Sequence, residues 1–238
     1  MRAYPSPSNR LTRCEQQIRW SMKYEADSIS TQLERVSTSE AQAVDEPVMT
    51  GHVLAITAAE HGEGVTTLAR RLGQGLCGHL GDTIIIDTNI REGRWRDARS
   101  GQGGRRHPGL TEVLVNGVPL ENAVQVDMVT QLHLLGAGGG TPKASALLAS
   151  GVLRRLVQKL RRSYRWVLLD MPPVGLYPDA GAVGRLADGV ILTVHAEKTR
   201  AEAVAGAQQA ILRGGGQLLG SILNRRRAHT PEWLERYL

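Results

Sequence analysis

Several residue types are scarce in this chain of 238 residues, and each scarcity excludes a class of protein. Phenylalanine is absent and aromatic residues make up only 4% of the chain, so the core has to be aliphatic. The two cysteines, Cys14 and Cys77, are too few for a disulfide-stapled secreted scaffold and form no CxxC pair. No apolar run approaches the roughly 18 residues that a membrane-spanning helix needs. The first residues also lack the apolar segment of a signal peptide, so we expect a cytoplasmic globular protein.

Lysine is scarce as well, and arginine supplies most of the positive charge. The net charge is +6, with basic residues concentrated in the segments Arg91–Arg106, Arg154–Arg165 and Arg225–Arg227. This charge suits phosphate, nucleic acid or an anionic membrane face, and charge alone does not choose among them. No specific nucleic-acid partner is expected, because neither a recognition motif nor interleaved aromatic residues accompany the basic segments.

The composition of the chain changes near residue 52. Segment 1–51 is polar and rich in Ser, Thr and Gln, which is typical of a flexible arm. Segment 52–224 alternates short aliphatic runs with longer amphipathic stretches, and we assign it to one domain. Segment 225–238 forms a basic tail in which Trp233, Leu234, Tyr237 and Leu238 share one face of a short helix. Such a face suits either a membrane surface or packing onto the domain.

Six aliphatic runs predict strands, and the stretches between them predict helices. The predicted strands are Val53–Thr57, Thr83–Asp87, Leu132–Leu135, Trp166–Asp170, Val190–His195 and Leu218–Leu223. The predicted helices are Thr66–Leu80, Leu110–Asn116, Ala144–Arg162, Ala180–Leu186 and Arg200–Leu212. Continuous apolar strands alternating with helices indicate an α/β fold with a mostly parallel sheet and helices on both faces. In such folds ligands bind at the carboxyl ends of the strands.

The first such strand end has the features of a phosphate-binding loop. Gly62 and Gly64 lie between the strand Val53–Thr57 and a helix that begins near Thr66 and Thr67. Glycines let backbone N–H groups approach an anion, and a helix N-terminus favours negative charge. The Thr66 hydroxyl is placed to bind Mg²⁺ and that of Thr67 to contact a phosphate. A plain turn between strand and helix would share part of this pattern.

The Walker A pattern G-x-x-x-x-G-K-[ST] is incomplete at this loop. Ala59 stands in place of its first glycine and Val65 in place of its lysine. The lysine would give a point charge to the β- and γ-phosphates, and valine supplies none. The cations nearest in sequence are Arg70, Arg71 and Arg91.

Two more strands end in a carboxylate. Asp87 closes one apolar run, and Asp170 closes another just before Pro172 and Pro173. A strand-end aspartate beside a phosphate loop can orient a water or hold Mg²⁺. A single such aspartate could equally stabilise a turn, but a pair together with a glycine loop favours a nucleotide site.

Together these motifs resemble the bacterial tyrosine kinase (BY-kinase) family, the CpsD/CapB and Wzc-like group of exopolysaccharide synthesis, within the MinD/ParA P-loop ATPases. The matching elements are Ile56-Thr57, Gly62-Glu63-Gly64, Thr66-Thr67, Ile85-Ile86-Asp87 with Arg91, and Leu168-Leu169-Asp170 with Pro172-Pro173. The resemblance covers about residues 53–224 and implies a P-loop NTPase fold.

The resemblance also implies ATP and Mg²⁺ as cofactors and assigns roles to individual residues. The implied cofactor-binding residues are Gly62, Glu63, Gly64, Val65, Thr66, Thr67, Arg91 and Asn224. Asp87 and Asp170 match the Walker A′ and Walker B aspartates, which implies catalytic roles, and they join Thr66 as the implied metal ligands.

The departures from the family argue against an active autokinase. Besides Val65, Glu60 stands where MinD/ParA relatives carry a second lysine, and Asn89 replaces the second aspartate of Walker A′. The family's C-terminal tyrosine cluster is missing, because Tyr237 is the only tyrosine after residue 178. The family's E-x-x-R-x-x-R oligomerisation motif has no match, and self-association is left open.

We therefore expect a degenerate BY-kinase-like component of exopolysaccharide synthesis or export, either a pseudokinase or a weak ATP-binding subunit. Its expected partner is a membrane-embedded polysaccharide co-polymerase or chain-length protein, which would bring this cytoplasmic chain to the inner membrane. One alternative is a MinD/ParA-like positioning ATPase acting at membrane or DNA. The other is a scaffold that binds no nucleotide.

Overall fold

The structure is a computed structural model that describes residues 51–91, 107–177 and 180–226. The predicted arm at 1–51 and tail at 225–238 lie almost entirely outside the described residues, as does most of the first arginine segment. In the part of the chain that the structure describes, no helix is both long and apolar enough to cross a membrane.

The described residues form seven strands and seven helices. The strands are β1 (His52–Ala58), β2 (Thr83–Asp87), β3 (Val124–Val126), β4 (His133–Leu135), β5 (Trp166–Asp170), β6 (Gly189–His195) and β7 (Leu218–Asn224). The helices are α1 (Val65–His79), α2 (Leu110–Asn116), α3 (Leu120–Ala123), α4 (Ala144–Leu148), α5 (Gly151–Arg161), α6 (Ala180–Gly184) and α7 (Ala201–Arg213).

The strands form one sheet in the order β3-β4-β2-β5-β1-β6-β7. Every neighbouring pair is parallel except β3 and β4, which are antiparallel. The predicted α/β fold with a mostly parallel sheet is thereby confirmed. Because β5 lies between β1 and β2, the carboxyl ends of these three strands meet at the middle of the sheet.

Helices cover both faces of the sheet, as the alternation of side chains along β2 shows. Ile84 and Ile86 belong to the core cluster that also contains residues of α4 to α7. Ile85 points to the other face, where a Cβ atom on Gly73 of α1 would lie 3.0 Å from its side chain. A strand buried on both faces needs apolar residues at every position, which accounts for the continuous apolar runs in the sequence.

Four features differ from the sequence-based expectations. The predicted helix Ala144–Arg162 is two helices, because Ser150 adopts an extended backbone conformation and α5 begins at Gly151. The short elements β3 and α3 were not predicted, since a three-residue strand carries too little periodicity to be recognised. The i+4 spacing of Leu68, Leu72, Leu76 and Leu80 predicts one apolar stripe on the first helix, but of the four only Leu76 is buried, and Leu80 lies beyond the end of α1 and is 42% exposed.

An ion pair between Arg161 and Asp188 ties the end of α5 to the starts of β1 and β6. Arg161 Nη2 donates to Asp188 Oδ1 at 2.6 Å and Oδ2 at 2.7 Å, while Arg161 Nε donates to the Gly51 carbonyl at 2.9 Å. The Val53 amide donates to Asp188 Oδ2 at 2.8 Å. Asp188 thus accepts hydrogen bonds from a guanidinium and from a strand amide. These bonds lie at the amino ends of the strands, away from the carboxyl ends where ligands bind in such folds.

Replacing Asp188 by alanine should lower the free energy of unfolding by about 1–3 kcal/mol, because the Val53 amide and the Arg161 guanidinium would both lose their acceptor. Urea denaturation followed by circular dichroism measures the change. The control is Asp82→Ala at an exposed position just before β2, which should shift stability by no more than about 0.5 kcal/mol. Equal effects of the two substitutions would contradict a bracing role for Asp188.

Candidate functional site

The loop between β1 and α1 depends on two glycines with left-handed backbone conformations. Gly62 has φ +80° and Gly64 has φ +93°, a region that residues with a Cβ atom rarely adopt. A Cβ atom on Gly64 would also lie 2.3 Å from Asn224 Nδ2. The first bond of α1 then forms when the Leu68 amide donates to the Gly64 carbonyl at 2.9 Å. The resulting strand, glycine turn and helix N-terminus have the order of a phosphate-binding loop.

Glu63 holds this loop from within the protein. Its side chain is 2% exposed, and Oε2 accepts the amides of Ala59 at 2.8 Å and Glu60 at 3.1 Å. Oε1 accepts the hydroxyl of Thr199 and the amide of His195 at 3.4 Å. The side chain of this predicted ligand residue therefore bonds to the loop itself and to the end of β6. What it can offer to a ligand from this position is its backbone.

Asn224 supports the same loop from the end of β7. Its Nδ2 donates to the Glu63 carbonyl at 2.8 Å, so the side-chain amide nitrogen is directed at the loop. The Asn224 carbonyl accepts the Ala196 amide at 2.8 Å. The structure thus places two of the predicted cofactor-binding residues, Glu63 and Asn224, in direct contact.

The residues at the start of α1 differ in exposure. Val65, at the position of the Walker A lysine, is the first residue of α1 and is only 9% exposed. Thr66 and Thr67 are exposed. Val65 is therefore buried, while the two threonines that follow it are exposed at the start of the helix.

Asp87 and Asp170 occupy paired positions on neighbouring strands. They are register partners in the β2–β5 ladder, and the residues are 2% and 4% exposed. Asp87 Oδ1 accepts the Asn89 amide at 2.9 Å. Thr88 fixes the two strand ends to each other, because its amide and its hydroxyl both donate to the Asp170 carbonyl at 2.9 Å. Two carboxylates are thus held side by side at the middle of the sheet.

The oxygen donors at these strand ends suit Mg²⁺. Carboxylates and hydroxyls are hard ligands that Mg²⁺ prefers, and it usually takes only one or two carboxylates and keeps several waters. Asn89 Oδ1 adds a buried acceptor that has no hydrogen-bond partner among the described residues. No group of three His, Cys, Asp or Glu side chains suited to a metal occurs in that part of the chain. The donor set fits a partly hydrated Mg²⁺ and does not fit a metal caged by protein ligands alone.

Arg91 is held by contacts that the sequence did not suggest. Its Nη2 donates to Ser145 Oγ at 2.6 Å, and its guanidinium carbon lies 5.0 Å from the centre of the Tyr177 ring. The Tyr177 ring also meets the ring of His61 edge-on, with 5.9 Å between centroids. His61 belongs to the glycine loop, so Tyr177 connects Arg91 to that loop. Tyr177 follows Asp170 in the same strand-end loop, which is the one sequence signal that could have singled it out.

The chain has a P-loop NTPase fold. This follows from the glycine loop at a helix N-terminus, the two strand-end aspartates and the order of the parallel sheet.

No protein-family model matches the chain. The tyrosine-protein kinase YwqD of Bacillus subtilis strain 168 is 31% identical over 169 residues, which are 71% of this chain and 70% of YwqD. The kinase domain of VpsO superimposes with a TM-score of 0.69 at 26% identity, covering 91% of this chain and all of that domain.

A longer relative is the succinoglycan biosynthesis transport protein ExoP of Rhizobium meliloti strain 1021. It is 27% identical over 176 residues, which are 73% of this chain but 22% of ExoP. Because the chain is 31% identical to YwqD over more than two thirds of both proteins, it belongs to the bacterial tyrosine kinase family.

The buried hydrogen bonds of Glu63 generate a testable prediction. Glu63→Ala should lower the free energy of unfolding by about 1–3 kcal/mol, because the Ala59 amide would lose its acceptor in a buried environment. Thermal denaturation measures the change. Glu60→Ala is the matched control in the same loop, since Glu60 is exposed and its loss should change stability by about 0.5 kcal/mol or less. If both variants melt like the wild type, Glu63 does not hold the loop.

Proposed function

We propose that the chain is a nucleotide-binding, regulatory subunit of exopolysaccharide synthesis or export that binds Mg²⁺-ATP weakly and has no tyrosine autokinase activity. The observation that carries the proposal is the loop at Gly62–Thr67. It retains left-handed glycines and an exposed helix N-terminus, yet a buried valine stands where the family has its lysine. Backbone donors for a phosphate are retained while the side-chain charge is absent.

The proposed roles follow the positions of the side chains. Backbone N–H groups of the loop would bind the phosphates, and Thr66, Asp87 and Asp170 would hold Mg²⁺ with its waters. Bound Mg²⁺ would neutralise negative charge on the nucleotide phosphates. Arg91 would offer a cation near the loop, fixed by Ser145 and Tyr177, and Asn224 would keep the loop in shape.

The proposed partner is a separate membrane-embedded co-polymerase, with this chain bound to it on the cytoplasmic side of the inner membrane. One finding supports this. The chain aligns with 22% of ExoP, a protein named for biosynthesis and transport of succinoglycan. A MinD/ParA-like ATPase and a nucleotide-free scaffold are the alternatives that the experiments below distinguish.

The proposed function predicts the absence of tyrosine autophosphorylation. Without the lysine charge at position 65 and without a tyrosine cluster, purified protein incubated with Mg²⁺-ATP should give no signal on an anti-phosphotyrosine blot. Asp170→Ala, run in parallel, should be indistinguishable from the wild type. A strong wild-type signal that disappears in Asp170→Ala would overturn the assignment as a pseudokinase.

The second prediction concerns the missing lysine itself. A charge-assisted hydrogen bond contributes roughly 1.5–3 kcal/mol, or about ten- to a hundred-and-fifty-fold in affinity. Val65→Lys should therefore bind Mg²⁺-ADP that much more tightly than the wild type in calorimetric titration. Val65→Met, a long but uncharged side chain, is the control and should bring no such gain.

Two results would contradict this account. If the wild type already binds Mg²⁺-ADP with micromolar affinity and Val65→Lys adds nothing, another cation such as Arg91 or Arg70 supplies the charge. If neither protein binds, the loop is not a phosphate site and the scaffold alternative gains support.

A further inference from the structure

Helix α5 carries two separate basic stripes. Leu153, Val157 and Leu160 are buried against the core, which fixes how the helix is turned. One exposed stripe consists of Arg155, Lys159 and Arg162, which we call the outer stripe. The other, containing Arg154, Gln158 and Arg161, faces the segment that follows α6.

Two adjoining cavities lie along this second stripe. Their volumes are about 160 and about 260 Å³, and Arg154, Arg185 and Leu186 line both. The buried Leu148 and Val157 contribute apolar surface to them. We call the two cavities together the arginine cleft. Each is smaller than the roughly 300–1,000 Å³ of a typical small-molecule pocket, so the cleft suits side chains of a partner better than an enclosed ligand.

The charged residues of the arginine cleft are all positive among the described residues. In that part of the chain, its lining includes three arginines and no acidic residue. Arg161 is paired with Asp188, whose carboxylate also accepts the Val53 amide. Arg154 and Arg185 have no ion pair among the described residues, and both are exposed. Two guanidinium groups around one cleft repel each other, and an anion placed between them would relieve that repulsion.

We propose that the arginine cleft is a docking site for an acidic segment of a partner protein, with carboxylates on Arg154 and Arg185 and an aliphatic side chain on the apolar floor. Arginine binds carboxylates through two parallel hydrogen bonds, which gives a directed contact. None of the described lining residues is aromatic, which disfavours single-stranded nucleic acid, because its bases stack on such side chains. The concave shape between two elements disfavours a flat membrane surface.

The experiment uses the full chain and a fluorescein-labelled eight-residue peptide with glutamate at alternate positions and leucine or serine between. Fluorescence anisotropy should show saturable binding. Arg154→Ala with Arg185→Ala should weaken it about tenfold or more, since two charge-assisted contacts are lost. Lys159→Ala with Arg162→Ala, which removes the same charge from the outer stripe, should change the affinity less than about twofold.

Three outcomes would overturn the proposal. The first is no saturable peptide binding up to about 1 mM, and the second is equal weakening by the two double variants, which would indicate non-specific charge attraction. The third is that phosphatidylglycerol vesicles or a single-stranded oligonucleotide bind in place of the peptide and lose binding in the cleft variant. Thermal melts of both double variants check folding. No cleft residue belongs to the proposed nucleotide site, so this test stands whether or not ADP binds.

Discussion

The candidate site depends on one buried carboxylate, that of Glu63. A buried charge is costly unless it is paired or fully hydrogen-bonded. Here four donors surround it, from Ala59, Glu60, His195 and Thr199, which belong to the loop and to the carboxyl end of β6. Hydrogen bonds within the protein therefore hold the conformation of the glycine loop. Because none of these bonds involves the side chain of residue 65, the loop has its left-handed turns with a valine at that position.

The main chain and the lysine side chain contribute to a phosphate site in different ways. In this chain the main-chain part of the loop is present and the lysine is absent. The N–H groups of a glycine loop are present whatever residue follows, because they belong to the main chain. The lysine charge belongs to one side chain and is removed by one substitution. A buried Val65 beside exposed Thr66 and Thr67 thus leaves the loop without the lysine charge, while its main-chain N–H groups and the two threonines are still present.

Most of the fold and part of the site could be predicted from the sequence, for physical reasons that differ by element. β2 and β5 are buried on both faces, so their apolar runs end visibly at Asp87 and Asp170, and parallel strands bring those ends together. The partners of Glu63 could not be predicted, because Thr199 is 136 residues away in the sequence and only the fold makes them neighbours. The same holds for Arg185, which reaches the arginine cleft from a different element than Arg154.

The pairing of Asp87 and Asp170 bears on the proposal that the strand-end site binds Mg²⁺. Asp87 stabilises its turn by accepting the Asn89 amide, and an aspartate would be useful there in a scaffold that binds nothing. A second buried aspartate stands in register on the neighbouring strand, where backbones lie about 4.8 Å apart. Two carboxylates side by side can hold one divalent cation, which neutralises the charge of both. The pair therefore supports the proposed Mg²⁺ site, and that support does not depend on a lysine at position 65.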